Sequence, residues 1–358
     1  MLALFACATL LLDSRLFRAF PKPKGLLLFF VLGEVFAGVA LWRQQAWLAA
    51  AGFFQITGFH GAFAIDRFAI FFNWILVIAA SMVAVVSYRN CETENEHHGE
   101  SYGLILLAQS GMYFLATGAR SDALVLLAIS SAAVGFVLKL SAVSGNLWAP
   151  VAEYLSVGSK IASIAFLLRL LTGPLARARG LWEPLLVFVA LAMLAFGTVA
   201  ARNQTSIKRL LAGYSISDAG FMLLGIIAGN QTGIHGIVVY VAVYTFMNLG
   251  ACLVLIALRR GNLIREDVGA IAALMHKSPG YAALMLIFLF SLAGIPPTAG
   301  FFGKYYILLS LVQTGHFNLA IVATLYAAVA IYYHVKVVRG MFVRDKIAHH
   351  PLALSFGL

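Results

Sequence analysis

Five ionisable residues inside apolar stretches of this chain are of types able to take part in chemistry. They are Glu34 in FFVLGEVFAGVA, Lys139 in AAVGFVLKLSAV, Lys160 in LSVGSKIASIAFLLRLL, Asp218 in GYSISDAGFMLL and Lys304 in GIPPTAGFFGKYYI. A charge at the centre of a lipid bilayer costs at least about 2.5–3.5 kcal/mol, so each is a functional candidate. The chemistry they suit is proton transfer. Burial weakens a lysine's hold on its proton and a neighbouring carboxylate restores it, so a change at the acid toggles the base. A row of such lysines, with polar groups and water between them, makes a proton path. No nucleophile–base pair, redox ligand set or phosphate cradle competes with this reading. Cys7, Cys91 and Cys252 are scattered, without a CxxC motif or a Cys/His cluster, so neither a disulfide framework nor a metal site is expected.

Plainer roles stand beside these. Lys160 and Lys139 lie near the ends of their apolar runs, where a long side chain can snorkel to the interface. Glu34 and Asp218 suit counter-ions, but equally suit satisfied structural polar groups. Lys208 and Arg209 open a span on the basic side and read as topology determinants. Asp66 and Asp122 mark span edges. His235 and His334 sit near span ends and receive no role.

The elements that position these residues must be membrane helices. Of 358 residues, 62% are hydrophobic and 11% charged, against about 25% charged in a soluble domain. Apolar runs recur along the whole chain and are continuous rather than alternating, which predicts an all-α, polytopic transmembrane bundle and not a β-barrel. About eleven spans are expected, near 2–12, 25–42, 66–88, 102–118, 123–143, 154–171, 182–201, 209–228, 234–258, 281–311 and 318–338. The net charge of +11 gathers in the loops DSRLFRAFPKPK, RNQTSIKR, RRGNLIREDVG and KVVRGMFVRDK. These fall on one side, so the charge reports membrane orientation and not a nucleic-acid partner. The loop GPLARARG breaks the pattern. The count places the N-terminus outside and the C-terminus inside. MLALFACATLLLD lacks the basic start and small-residue cleavage site of a signal peptide and is read as a short first span.

The run from Tyr281 to Leu311 is special. As a straight helix it would measure about 46 Å, longer than a bilayer core of roughly 30 Å. Pro296 and Pro297 remove two backbone donors and disfavour helix just before them. Two half-helices joined by a bend at Pro296, Pro297 and Gly300 are therefore expected. Exposed backbone of this kind is tolerated only where protein or a water-filled cavity covers it, and broken helices mark ion pathways in transporters. The alternative is a proline kink that only shapes packing, but Lys304 lies two turns beyond.

The stretches SLAGIPPTAGFFGKYYI, QTSIKRLLAGYSISDAGF and YTFMNLGACLVL together resemble subunit N of bacterial NADH-quinone oxidoreductase, respiratory complex I. VGFVLKLSAVSGNLWAP and LSVGSKIASIAFLLRLL add to the match, which spans Phe59 to Arg344 with gaps. Sister subunits and Mrp-type cation/proton antiporters carry a lysine and a histidine where this chain has YTFMNLGA. The resemblance implies an antiporter-like, proton-translocating membrane subunit. Lys139 would match the lysine of the family's first broken helix, Lys160 that of the next helix, and Lys304 that of the second broken helix. Asp218 stands where the family often has a histidine or another polar relay group. NADH, flavin, iron–sulfur clusters and quinone would belong to other subunits, leaving no cofactor, metal or redox site here. The implied partners are other membrane-arm subunits, antiporter-like neighbours especially, in a bacterial cytoplasmic membrane.

Departures from the family are plain. Its buried glutamate should fall near Ser131 and is absent, and the segments around that position read as one domain over 1–358 lacking two internal spans. The usual Pro-Phe-His before the lysine of the next helix reads SGN. The first span reads as clipped, and the chain stops at PLALSFGL, where a last span would begin. Three readings stay open: a conducting subunit, with Glu34 as a weak substitute acid; a non-conducting structural spacer; and a stand-alone antiporter.

Overall fold

The structure is a computed structural model that describes residues 22–51, 55–58, 63–94, 100–117, 149–173, 175–202, 207–260 and 274–342. In chain order these form α1 (Lys22–Ala51), β1 (Gln55–Gly58), β2 (Phe63–Asp66), α2 (Arg67–Glu94), α3 (Glu100–Thr117), α4 (Ala149–Thr172), α5 (Arg179–Arg202), α6 (Ile207–Ala228), α7 (Gln231–Arg260), the short α8 (Leu274–Lys277), α9 (Pro279–Ala293), α10 (Ala299–Gln313) and α11 (Phe317–Phe342). Among the described residues six helical segments are long and apolar enough to cross a membrane, on α1, α2, α5, α6, α7 and α11. The helices α3, α4, α9 and α10 pack among them. The expected spans near 2–12 and 123–143 lie outside the described residues, as does Lys139. Every other expected span coincides with a helix, and 281–311 divides into α9 and α10.

One element was not expected. β1 and β2 form an antiparallel hairpin, with Gln55 opposite Asp66 and Gly58 opposite Phe63. It joins α1 to α2, so the all-α expectation holds for the bundle and not for this connection. Asp66, expected at an edge, has two jobs there. Its Oδ1 accepts from the Ala69 N–H at 2.7 Å, capping α2. It also pairs with Arg169 of α4, tying the hairpin to the bundle.

The turn between α6 and α7 follows from two residues. Gly229 has φ +66°, a left-handed position that ends α6. The Asn230 side chain accepts from the Gly233 N–H at 2.8 Å and starts α7. The result is a tight helical hairpin that sets α6 and α7 side by side. On its other flank α6 packs closely along α5, where a Cβ on Gly197 would stand 2.6 Å from the Ser217 backbone nitrogen. Small residues of this kind let membrane helices approach without a hydrophobic drive.

Candidate functional site: a buried lysine–aspartate seam

The chain between α9 and α10 is broken by its own sequence. Gly294 takes φ +80°, and the N–H groups of Gly294 and Ile295 bond back to the carbonyls of Ser291 and Phe290. This is the Schellman closure of a helix, and it needs a glycine at the left-handed position. The next two carbonyls, of Leu292 and Ala293, would take their fourth-residue partners from positions 296 and 297. Both are prolines without an N–H. The amine of Lys304 fills that deficit. Its Nζ donates to the Leu292 carbonyl at 2.8 Å and approaches the Ala293 carbonyl at 3.4 Å. A Cβ on residue 294 would meet the Lys304 Cδ at 2.9 Å, so the glycine also leaves room for the side chain to pass.

The start of α10 is built to match. The Gly300 N–H donates to the Ser291 Oγ at 3.0 Å, so a side chain of α9 caps the first turn of α10. A Cβ on Gly300 would fall 1.7 Å from the Ser291 carbonyl oxygen. Only glycine permits this crossing. The half-helices are thus locked against each other, and Lys304 is fixed in position with 5% of its surface exposed.

Across from Lys304 stands α6. Asp218 Oδ1 lies 3.5 Å from the Lys304 Nζ and accepts from the Tyr240 hydroxyl at 2.6 Å. Asp218 is 4% exposed. The rings of Phe221 and Tyr240 lie 5.1 and 5.8 Å from the Nζ, adding two aromatic faces around the cation. Two bonded, compensated charges in a helical core are what the cost of intramembrane charge demands.

One turn along, α7 meets the other lysine. Lys160 of α4 lies 3.3 Å from the Tyr244 hydroxyl, which is itself 2.8 Å from the Ser215 Oγ. Tyr240 and Tyr244 are four apart on α7, and Ser215 and Asp218 three apart on α6, so each pair shares a face. The polar seam therefore runs from Lys160 through Tyr244 and Ser215, past Asp218 and Tyr240, to Lys304. It crosses α4, α6, α7 and α10.

The structure brings together Lys160, Asp218 and Lys304 from the expected set, and Pro296, Pro297 and Gly300 form the break as expected. Glu34 is set apart. It lies on α1 and accepts from the Gln109 amide of α3 at 3.2 Å; Gln109 also donates to the Tyr113 hydroxyl at 3.0 Å. Ser215, Tyr240 and Tyr244 were missed by reading the sequence. Their signal is the spacing: two tyrosines one turn apart in YVAVYT, facing a Ser-x-x-Asp in SISD.

Comparison with known proteins bears on this arrangement. The family model for the NADH:quinone oxidoreductase/Mrp antiporter transmembrane region matches residues 103–330. NADH-quinone oxidoreductase subunit N 2 of Solibacter usitatus (strain Ellin6076) is 52% identical, over 100% of this chain and 90% of that protein. A chain of the respiratory complex I from Thermus thermophilus, solved with bound aureothin, has the same fold at a TM-score of 0.71 and 22% identity, covering 96% of this chain and 89% of that one. A chain of the Mrp complex from Dietzia sp. DQ12-45-1b reaches 0.70 at 17% identity, covering 96% and 80%.

Proposed function

Because this chain belongs to the NADH-quinone oxidoreductase subunit N family, within the wider NADH:quinone oxidoreductase/Mrp antiporter membrane family, we propose that it moves protons in the membrane arm of that enzyme through the Lys160–Asp218–Lys304 seam. It is a membrane subunit that works beside others. Electron transfer from NADH to quinone falls, on this reading, to partner subunits. On the positive-inside rule, the face where α6 begins and α11 ends is the cytoplasmic one.

One observation carries the reading: Lys304 and Asp218 are buried and face each other at 3.5 Å, and one helical turn away the Tyr244 and Ser215 hydroxyls lead to a second lysine. The expensive charges are thus arranged as a series, with donors and acceptors between them. Moving a proton off Lys304 would leave Asp218 to the Tyr240 hydroxyl and free the amine to take another. Water would bridge the single helical turn between the Tyr244–Ser215 pair and the Asp218–Tyr240 pair.

A second reading has its own observation. The bonds from Lys304 to the Leu292 and Ala293 carbonyls would also suit a lysine that only caps the bend. Proton pumping separates the two. In vesicles carrying the assembled enzyme and driven by NADH, Lys304→Ala and Lys160→Ala should each lower the protons moved per electron pair at equal assembly. Unchanged ratios in both would make the chain a structural spacer.

A further inference from the structure

His334 lies in the last part of α11 and is 1% exposed. Its Nδ1 is 2.8 Å from the carbonyl oxygen of Ala330 on its own helix. A carbonyl only accepts, so the Nδ1 carries a hydrogen. That leaves Nε2 as a bare acceptor in the neutral ring and a second donor in the charged one. Nε2 is buried and has no hydrogen-bond partner.

Two more such atoms lie alongside. The His334 ring stacks on Tyr214 of α6, with centroids 3.9 Å apart and planes 27° from parallel. The Tyr214 hydroxyl is also buried without a partner. Asp218 is one turn further along α6, on the same face, and its Oδ2 is a third unpartnered buried atom. Leaving a buried polar atom unsatisfied costs about 1–3 kcal/mol, and a run of them is where internal water is held. A histidine kept only for packing would not need this arrangement.

The run has a direction. Tyr214 is near the start of α6 and His334 near the end of α11, so both lie towards the face where those helices begin and end. That face carries the exposed Lys336 and Arg339, and the first turn of α6 contains Lys208 and Arg209 in the sequence.

We propose that His334 is a proton-accepting group on a second branch of the path. This branch joins the Asp218–Lys304 pair to the basic face by way of the Tyr214 hydroxyl and bridging water, and it rests on the proton-moving reading above. The ring gains its proton at Nε2 from water on the basic side and gives it up from the same nitrogen towards Asp218 Oδ2. The bond from Nδ1 to Ala330 never breaks, no covalent bond other than to hydrogen changes, and no oxidant or reductant is needed.

The test uses the assembled enzyme in NADH-driven vesicles, reading protons per electron pair, with Lys304→Ala as the reference. His334→Asn keeps a donor for the Ala330 carbonyl but cannot carry the proton. It should lower the ratio as far as Lys304→Ala does. Tyr214→Phe keeps the ring and its stack and deletes only the hydroxyl. It should lower the ratio in part, and it decides the matter if His334→Asn does not assemble. A normal ratio in His334→Asn, or in Tyr214→Phe where only that variant assembles, while Lys304→Ala falls, overturns the branch and leaves the seam standing. Normal ratios in every variant, Lys304→Ala included, overturn both.

Discussion

Among the described residues two carboxyl groups are buried in this bundle, and their surroundings differ in kind. Asp218 faces a lysine at 3.5 Å and a phenol at 2.6 Å. Glu34 faces an amide at 3.2 Å, with a tyrosine behind that amide and no cation within ion-pair distance among the described residues. Asp218 sits between helices that each bring a polar residue to it or to its neighbours. Glu34 sits on α1, whose other side exposes Leu28, Val31, Leu32, Val35, Phe36 and Val39. The difference teaches that burial of an acid is not enough to mark a proton path. On the proposed reading, what marks it is a compensating base with further donors and acceptors leading away.

Removing the compensating base is the sharpest way to break the comparison. Lys304→Ala strips Asp218 of its cation and leaves the Leu292 and Ala293 carbonyls without a donor. Breaking a buried ion pair by deleting one partner costs about 3–5 kcal/mol. The variant enzyme should lose thermal stability in detergent as well as pumping. Adding Asp218→Asn should recover part of the stability and none of the pumping. If the single variant is as stable as the parent, the pair is not the tie described here.

Tyr240→Phe should follow. It deletes the hydroxyl that Asp218 accepts from, and a hydrogen bond to a charged group contributes about 1.5–3 kcal/mol. The ring remains against Gly303, so packing is kept. Stability measured by denaturation in detergent should fall by less than in Lys304→Ala, and proton movement should slow. A neutral result on both counts would place Tyr240 outside the seam.

Gly294→Ala is expected to cost less, about 1–2 kcal/mol for an L-residue held in the left-handed region, with an added push on the Lys304 side chain. It should reduce pumping through that push while leaving the ion-pair residues intact. A matched Gly315→Ala, also at positive φ but with open space around it, separates the two causes. If the two variants pump alike, the contact with Lys304 carries nothing.

How much of this was legible in the sequence follows from range. The broken helix was readable because its causes are local. The run from Tyr281 to Leu311 is too long for a bilayer, and Pro296 and Pro297 lack donors wherever they fold. That Lys304 would fill the carbonyls left by those prolines was not read, though the same local rule contains it. The pairing of Asp218 with Lys304 was out of reach, since it depends on how α6 lies against α10. Tyr240 and Tyr244 were not singled out, and His334 was given no role, because a tyrosine or histidine in an apolar span has a plain packing role until its neighbours are known. The hairpin at Gln55–Asp66 was lost among the long apolar runs. Its sign was a pair of short strands around GFHG.

Glu34→Gln should have the smallest effect and is the most direct probe of the contrast. The carboxyl is held by the Gln109 amide, and the oxygen of a glutamine at position 34 could accept the same bond. The change is nearly isosteric and removes no partner, so stability should shift by no more than about 0.5–1.5 kcal/mol. Protons per electron pair should match the parent, since among the described residues no cation lies within ion-pair distance of Glu34 to exchange a proton with it. If instead the ratio falls as far as in Lys304→Ala, Glu34 is a working acid in a chain that lacks the family's usual glutamate. The rule drawn from Asp218 would then fail: an acid could serve the path through water alone, without a cation beside it.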